Sequence, residues 1–267
     1  LSFFLFEFMT LFRKKKIIIT LHSIRQTVHK SKTKDMVSRF QRWVFSLAVR
    51  YAAKKGCHFV VHYKFHKKQL LDLLGCPADV TLIDYPSPSP KTKEPKQLKS
   101  GKLLIYGQIR EDKGIYDFLL DKAVQRIPIT VAGRILDRRI LDLHCENLTI
   151  IDDFISEQEL VKLFAMCDFL LLPYGRGYTG GAGPLKDSFA YATPVICSNL
   201  EIFKEIVLGY DTGFIYENPA SISQFVEHIE NGRYAQLSQN CLNYARDNDW
   251  SSMRRKYFSL YEGLYEC

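Results

Sequence analysis

The residues of this sequence best suited to chemistry sit in loops that follow short apolar runs. Gly107-Gln108-Ile109-Arg110-Glu111-Asp112-Lys113-Gly114 follows the run KLLIYG and leads into an amphipathic stretch. Glycines let a backbone come close to a ligand, and Arg110 and Lys113 place two cations beside a helix N-terminus, where anions are already favoured. That combination suggests a phosphate site, although the spacing suits two exposed loop charges equally well. A second loop, YGRGYTGGAGPLKDSFAYATPVI, carries glycines at 175, 177, 180, 181 and 183 ahead of Pro184, a residue fitted to a helix's first turn. Its bare amides could face a diphosphate. Residues 175 to 180 also spell GxGxxG, with Glu201 about 20 residues further on, as in the dinucleotide fingerprint. The match falls in the fourth strand–helix unit of its domain, and three residues separate its glycines from the helix start. A nicotinamide or flavin enzyme is therefore the weaker reading.

His22 closes the run IIITLH, where it would project into an interdomain cleft and polarise or hydrogen-bond a substrate; a purely structural role fits the position too. His58, His62 and His66 stand four apart, but two fall in an expected strand and one in the next helix, so they do not share a face and no metal site is read. Asp247-Asn248-Asp249 has the look of a metal-binding DxD, yet it precedes the final helix and suits a capping cluster.

These loops need a scaffold of alternating strands and helices. Apolar runs over KIIITLHS, 57–63 and 80–83, with helices expected over 37–54 and 65–74, form half of a parallel-sheet unit. Residues 86–100 contain four prolines and only Leu98 as a large apolar side chain, the composition of a linker. Six further strands are expected over 102–107, 128–133, 147–151, 168–173, 194–198 and 213–216. One intervening helix, 156–166, opens on the capping box Ser156 and Glu159. Six strands with crossover helices imply a doubly wound α/β domain, in which ligands bind beyond the carboxyl ends of the strands.

Length and charge agree with two domains. The chain has 267 residues, 46% of them hydrophobic and 25% charged, with a net charge of +8. Residues 1–110 hold 22 Lys+Arg against 6 Asp+Glu, whereas residues 111–267 hold 15 against 23. The first part is thus expected to face something anionic, such as a membrane surface or a phosphate-bearing acceptor. Nucleic acid is set aside because no binding motif accompanies the charge. Arg13, Lys14, Lys15 and Lys16 form one basic run, and Arg39, Arg42, Arg50 and Lys54 form a stripe opposite Val37, Phe40, Val44 and Leu47 on a helical wheel. The opening LSFFLFEFMTLF carries Glu7 and falls short of the ~18 apolar residues of a membrane span. Seven cysteines without a CxxC pair suit a reducing, cytoplasmic setting.

In their order, the stretches IIITLHS, IYGQIREDKG, ITVAG, NLTIIDDFISEQELVKLFAMCDFLLLPY, GPLKDSFAYATPVICSN, GFIYENP and WSSMRRKYFSLYE resemble the family-4 glycosyltransferases of GT-B fold. The resemblance implies an α/β protein with two Rossmann-type parallel-sheet domains, the first incomplete. Its parts would be a partial acceptor-side domain at 1–90, a linker at 91–100, a nucleotide-sugar-binding domain at 101–245 and a C-terminal helix at 246–267. It also implies that His22 lies near the transferred sugar, and that Arg110 and Lys113 hold the diphosphate beside Gly107. Asp153, Phe154 and Ile155 would surround the base. Thr179, Gly181, Gly183, Pro184, Leu185 and Asp187 would face the phosphates, the donor sugar and the ribose.

Two departures from the pattern stand out. Many members carry two glutamates eight positions apart where this sequence has Thr179 and Asp187, and the arginine that usually follows the first glycine is here Gln108. Nothing matches the strand and glycine-rich loop that usually precede the histidine strand, so the chain reads as starting partway through its first domain.

The expected activity is a retaining, metal-independent hexosyl transfer from a nucleotide sugar to a glycan or lipid-linked hydroxyl acceptor, in polysaccharide assembly, with no cofactor beyond that substrate. The expected place is the cytoplasm, at the inner membrane face. A non-catalytic sugar-nucleotide-binding module and a GT-B epimerase are the alternatives.

Overall fold

The computed structural model describes residues 16–22, 24, 32–176, 178 and 181–265. Contacts divide the chain into two units, one of Leu1–Tyr85, Thr179–Gly181 and Met253–Cys267, the other of Pro86–Tyr178 and Ala182–Ser252.

The first unit is built on three parallel strands, β1 (Ile18–Leu21), β2 (His58–Val61) and β3 (Val80–Leu82), in that spatial order. Helix α1 (Lys32–Lys54) connects β1 to β2, and α2 (Lys64–Leu74) connects β2 to β3. Phe59, Val60 and Val61 of the central strand are all buried, as a parallel strand covered on both faces requires. The final helix, α9 (Trp250–Tyr265), returns to this unit: the Tyr257 and Thr20 hydroxyls lie 2.9 Å apart, and Lys256 stands 3.2 Å from Asp84. Asp249 accepts the Ser252 amide at 2.7 Å, so the acidic triplet caps a helix as expected.

The packing of α1 differs from the wheel reading. The face turned to the sheet carries Phe45, Val49 and Ala52, at i, i+4 and i+7, while Phe40 is 63% exposed and Val44 and Leu47 are exposed as well. The Val37 and Arg42 side chains are not among those described. The wheel reading centres on Phe40, Val44 and Leu47, whereas the core of this unit is met by Phe45 with the smaller Val49 and Ala52.

The second unit holds six parallel strands in the order β6-β5-β4-β7-β8-β9. They are β4 (Leu103–Tyr106), β5 (Ile129–Ala132), β6 (Leu148–Ile151), β7 (Phe169–Leu172), β8 (Val195–Ser198) and β9 (Gly213–Tyr216), each inside its expected span. Renumbered within the unit this is 3-2-1-4-5-6, the doubly wound order, so the topology reverses between β4 and β7. The fold class is α/β with two Rossmann-type parallel sheets.

Residues 86–100 do not run free of this unit. The Lys91 amide donates to Ala190 at 2.7 Å, and the amides of Lys99, Ser100 and Gly101 converge on the carboxylate of buried Asp168 at 3.2, 2.8 and 2.7 Å. The Lys96 ammonium donates to the Phe164 and Cys167 carbonyls, both at 2.6 Å, and to the Thr193 hydroxyl at 3.2 Å. Two of those groups lie at the end of α4 (Glu157–Met166), where helix carbonyls lack partners. Prolines bar this segment from helix or sheet without preventing it from being bonded, which is why composition alone reads as linker.

Candidate functional site

Ligands of doubly wound sheets bind where the strand order reverses, here beyond Tyr106 of β4 and Leu172 of β7. The chain leaves β4 through Gly107, whose φ of +110° suits glycine. A Cβ at Gly107 would lie 3.2 Å from Pro184, so the turn closes directly onto the start of α5 (Gly183–Ala190). Gly133 at the end of β5 is in turn pressed against the Gly107 carbonyl, with no room for a side chain. Ile109 is buried, and its amide donates to Arg134 at 3.0 Å, which pins the middle of the loop to its neighbour after β5.

Past that anchor the loop forms a short 3-10 turn over Glu111–Lys113, and α3 (Ile115–Leu119) follows. Lys113 is only 6% exposed. Its carbonyl accepts the Gly175 amide at 2.9 Å, joining the β4 loop to the β7 loop, and its ammonium lies 4.8 Å from the centre of the Tyr174 ring. Burial pushes its pKa down to about 8, and the charge of Arg110 adds to the effect. No protein acceptor lies within hydrogen-bonding distance of this ammonium among the described residues. Tyr174 itself is fixed by the Ser198 hydroxyl, which donates to its carbonyl at 2.7 Å.

Arg110 has a different setting. It is half exposed and grips Asp112 through two bonds of 2.9 and 3.0 Å, a pairing that raises its pKa. Among the described residues Lys113 is thus the cation of the pair without a carboxylate partner, whereas Arg110 is held by one.

On the β7 side, Pro184 occupies the first turn of α5 and Leu185 is buried beneath it. Ala182 supplies no side-chain cap, so the first-turn amides of α5 are not closed off by a capping side chain. A Cβ at Gly183 would meet nothing within 4 Å, so this end of the helix borders open space. One turn on, burial raises the Asp187 carboxyl to about pKa 6. Tyr106 of β4 stands near it, its own hydroxyl raised to about 12 by burial and then by the Asp187 charge.

Gly107, Lys113, Pro184, Leu185 and Asp187 thus meet at the reversal point, together with Tyr174 and Tyr106. Sequence reading missed both tyrosines. Their signal was positional: each ends, or closely follows, one of the two strands that flank the reversal.

Asp153, Phe154 and Ile155 follow β6, the edge strand two places from β4 and so about 10 Å away across the sheet. Asp152 anchors that loop by accepting the Ile135 amide at 2.8 Å and Arg138 at 2.5 Å. Asp153 accepts the Phe154 amide at 2.6 Å, and Phe154 is 82% exposed. Gly181 belongs to the first unit, where a Cβ would lie 3.3 Å from the Tyr63 hydroxyl. Thr179 lies outside the described residues. His22 directly follows β1 and is exposed, with its Nδ1 3.1 Å from Nε2 of His62.

The structure is similar to a sucrose-phosphate synthase from Thermosynechococcus elongatus, with a TM-score of 0.74, 16% identity, and coverage of 97% of this chain and 70% of that one. It is also similar to HepE of Anabaena in complex with UDP and glucose, with a TM-score of 0.69, 12% identity and coverage of 97% and 74%. For TarM the TM-score is 0.65 and the identity 12%, over 93% of this chain, which spans 50% of that protein's length. At such identities the likeness speaks for the fold. No curated protein sequence matches significantly. Residues 88–246, more than half of the sequence, match the family described as glycosyl transferases group 1. The chain belongs to that family.

Proposed function

We propose that the chain is a retaining glycosyltransferase that moves a hexosyl group from a nucleotide sugar to a hydroxyl acceptor without a metal ion or bound cofactor. One observation carries the reading: a buried ammonium, Lys113, with no protein acceptor among the described residues, on one of the two loops that flank the reversal point of the second sheet, while the helix that follows the other, α5, has no side-chain cap. A diphosphate supplies the negative charge and the acceptor oxygens that this arrangement lacks.

During transfer the bond from the anomeric carbon to the diphosphate oxygen breaks. The anomeric carbon bonds to the acceptor oxygen, and the acceptor's proton passes to an oxygen of the leaving diphosphate. Negative charge collects on the leaving diphosphate, where Lys113, Arg110 and the α5 amides stabilise it. The loop of Asp153, Phe154 and Ile155 receives the base, Asp187 the ribose hydroxyls, and Gly181 and Gly183 the donor sugar, while His22 hydrogen-bonds the reacting sugar. Thr179 supplies no carboxylate, which favours binding without transfer as the second reading.

HepE is bound to UDP and glucose in its structure, and a trehalose-6-phosphate protein from E. coli is bound to UDP-2-fluoro glucose. This supports a nucleotide-sugar donor here. Incubation with a panel of nucleotide sugars tests the proposal: release of nucleoside diphosphate with sugar transferred or hydrolysed supports it, binding with no turnover selects the second reading, and no binding of any donor overturns both.

A lipid-linked or membrane-borne glycan acceptor completes the proposal, with the chain cytoplasmic and peripheral. Among the described residues no helix is long and apolar enough to cross a membrane. The exposed stripe of Phe40, Trp43, Val44 and Leu47, with Arg39 and Arg50 exposed nearby, supports contact with an anionic surface. Each basic residue adds about 1 kcal/mol near such a surface. Flotation with anionic but not neutral vesicles is expected, and indifference to lipid charge would remove this part.

A further inference from the structure

The carboxyl edge of the first sheet holds a short chain of polar groups. His62, directly after β2, is 2% exposed, and its Nδ1 lies 2.8 Å from the Ile83 carbonyl oxygen. A carbonyl has no proton to give, so this nitrogen carries the hydrogen. Its Nε2 faces Nδ1 of His22 at 3.1 Å, the two rings are stacked with centroids 4.9 Å apart, and Tyr85 stands edge-on to both. One of the two facing nitrogens must donate. In the neutral form of His62 the hydrogen on Nδ1 leaves Nε2 as an acceptor, and the hydrogen between the rings then belongs to Nδ1 of His22. What is left is Nε2 of His22, on an exposed residue, carrying a lone pair.

We propose that His62 is a positioning residue that holds His22 in its Nδ1–H tautomer, so that His22 meets the transferred sugar as an acceptor of a hydroxyl hydrogen and not as a donor. The role at the sugar rests on the function proposed above, whereas the tautomer does not. The relay has a defined direction: the Ile83 carbonyl fixes His62, and His62 fixes His22. Stacking holds the two rings together, and Tyr85 walls their flank. An unconstrained histidine favours hydrogen on Nε2, so the arrangement reverses the ordinary preference.

Nitrogen-15 NMR of histidine-labelled protein tests this at alkaline pH, where both rings are neutral. His22→Asn identifies the His22 signals. Wild type is expected to show protonated Nδ1 and bare Nε2 at His22. His62→Gln, whose amide oxygen keeps an acceptor within reach, is expected to keep that pattern, and His62→Phe to move the hydrogen to Nε2. A wild-type spectrum with hydrogen on Nε2 of His22 overturns the proposal even if His62→Phe does not fold, and so does an unchanged pattern in a folded His62→Phe. With an active donor, His62→Phe is expected to lower kcat up to about a hundredfold with UDP affinity unchanged, and His62→Gln to restore much of it. If no donor turns over, the function proposed above fails while the spectra still decide the tautomer.

Discussion

Lys96 and Lys113 are both withdrawn from water far enough to bring their pKa values down to about 8, yet their ammonium groups end in opposite circumstances. Lys96 donates to two carbonyls and a hydroxyl and has no bond left to offer. Lys113 lies over an aromatic ring, with a neighbouring arginine adding to its penalty. One half-buried charge ties the segment 86–100 to the second unit. The other has no acceptor among the described residues and so keeps the cost of its burial. Burial and a depressed pKa are therefore no sign of a site by themselves; the count of satisfied donors separates the two lysines. Asp187 sits on the Lys113 side of this divide, since burial raises it with no cation among the causes.

The contrast breaks most visibly at Lys113. Lys113→Met should lower kcat/KM for the donor by about 3 kcal/mol, roughly a hundredfold or more, the scale of losing one pre-organised charge-stabilising group. The same variant should be slightly more stable to urea, because an uncompensated buried charge is gone. Lys96→Met should do the reverse. It strands two carbonyls and should cost about 2–4 kcal/mol of unfolding free energy, read as a lower urea midpoint, with UDP affinity of the folded protein unchanged. Loss of UDP binding in Lys96→Met with full stability would erase the distinction.

Asp187→Asn sharpens it. Raised above its unfolded value, the carboxyl binds more protons folded than unfolded between about pH 4 and 6, so its contribution to stability falls as pH rises through that window. At neutral pH the amide should therefore gain about 1 kcal/mol of stability while weakening UDP binding. Arg110→Ala should be smallest, about 1 kcal/mol in UDP affinity, because the guanidinium is half exposed and already holds Asp112.

The strands of the second sheet were legible because parallel strands covered on both faces read as unbroken apolar runs: Leu103, Leu104 and Ile105, or Phe169, Leu170 and Leu171, admit little else. The glycines and Lys113 were legible because loops beyond such strands have a fixed place in the fold. The side of α1 that meets the sheet was not, since Val49 and Ala52 carry too little apolar weight to outvote Phe40 and Leu47. Nor was the role of 86–100, whose bonds run to Asp168, Phe164 and Thr193, far away in sequence. Tyr174 escaped notice because an aromatic residue after a buried strand reads as core, and it is indeed buried; only the ammonium over its ring gives it a part in the site. Asp168 likewise gave no hint that three amides would converge on it.

The central claim is that Lys113 is held for a diphosphate. Folded, Lys113 binds fewer protons than in the unfolded chain between about pH 8 and 10.5, so its burial penalty is relieved as pH rises through that range, whereas an anion needs the proton in place. Calorimetric titration of UDP across pH 7 to 9.5 tests this directly. The account predicts affinity that falls as pH passes about 8, proton uptake on binding above that pH, and neither effect in Lys113→Met. Equal affinity and equal pH dependence in the two proteins would contradict it.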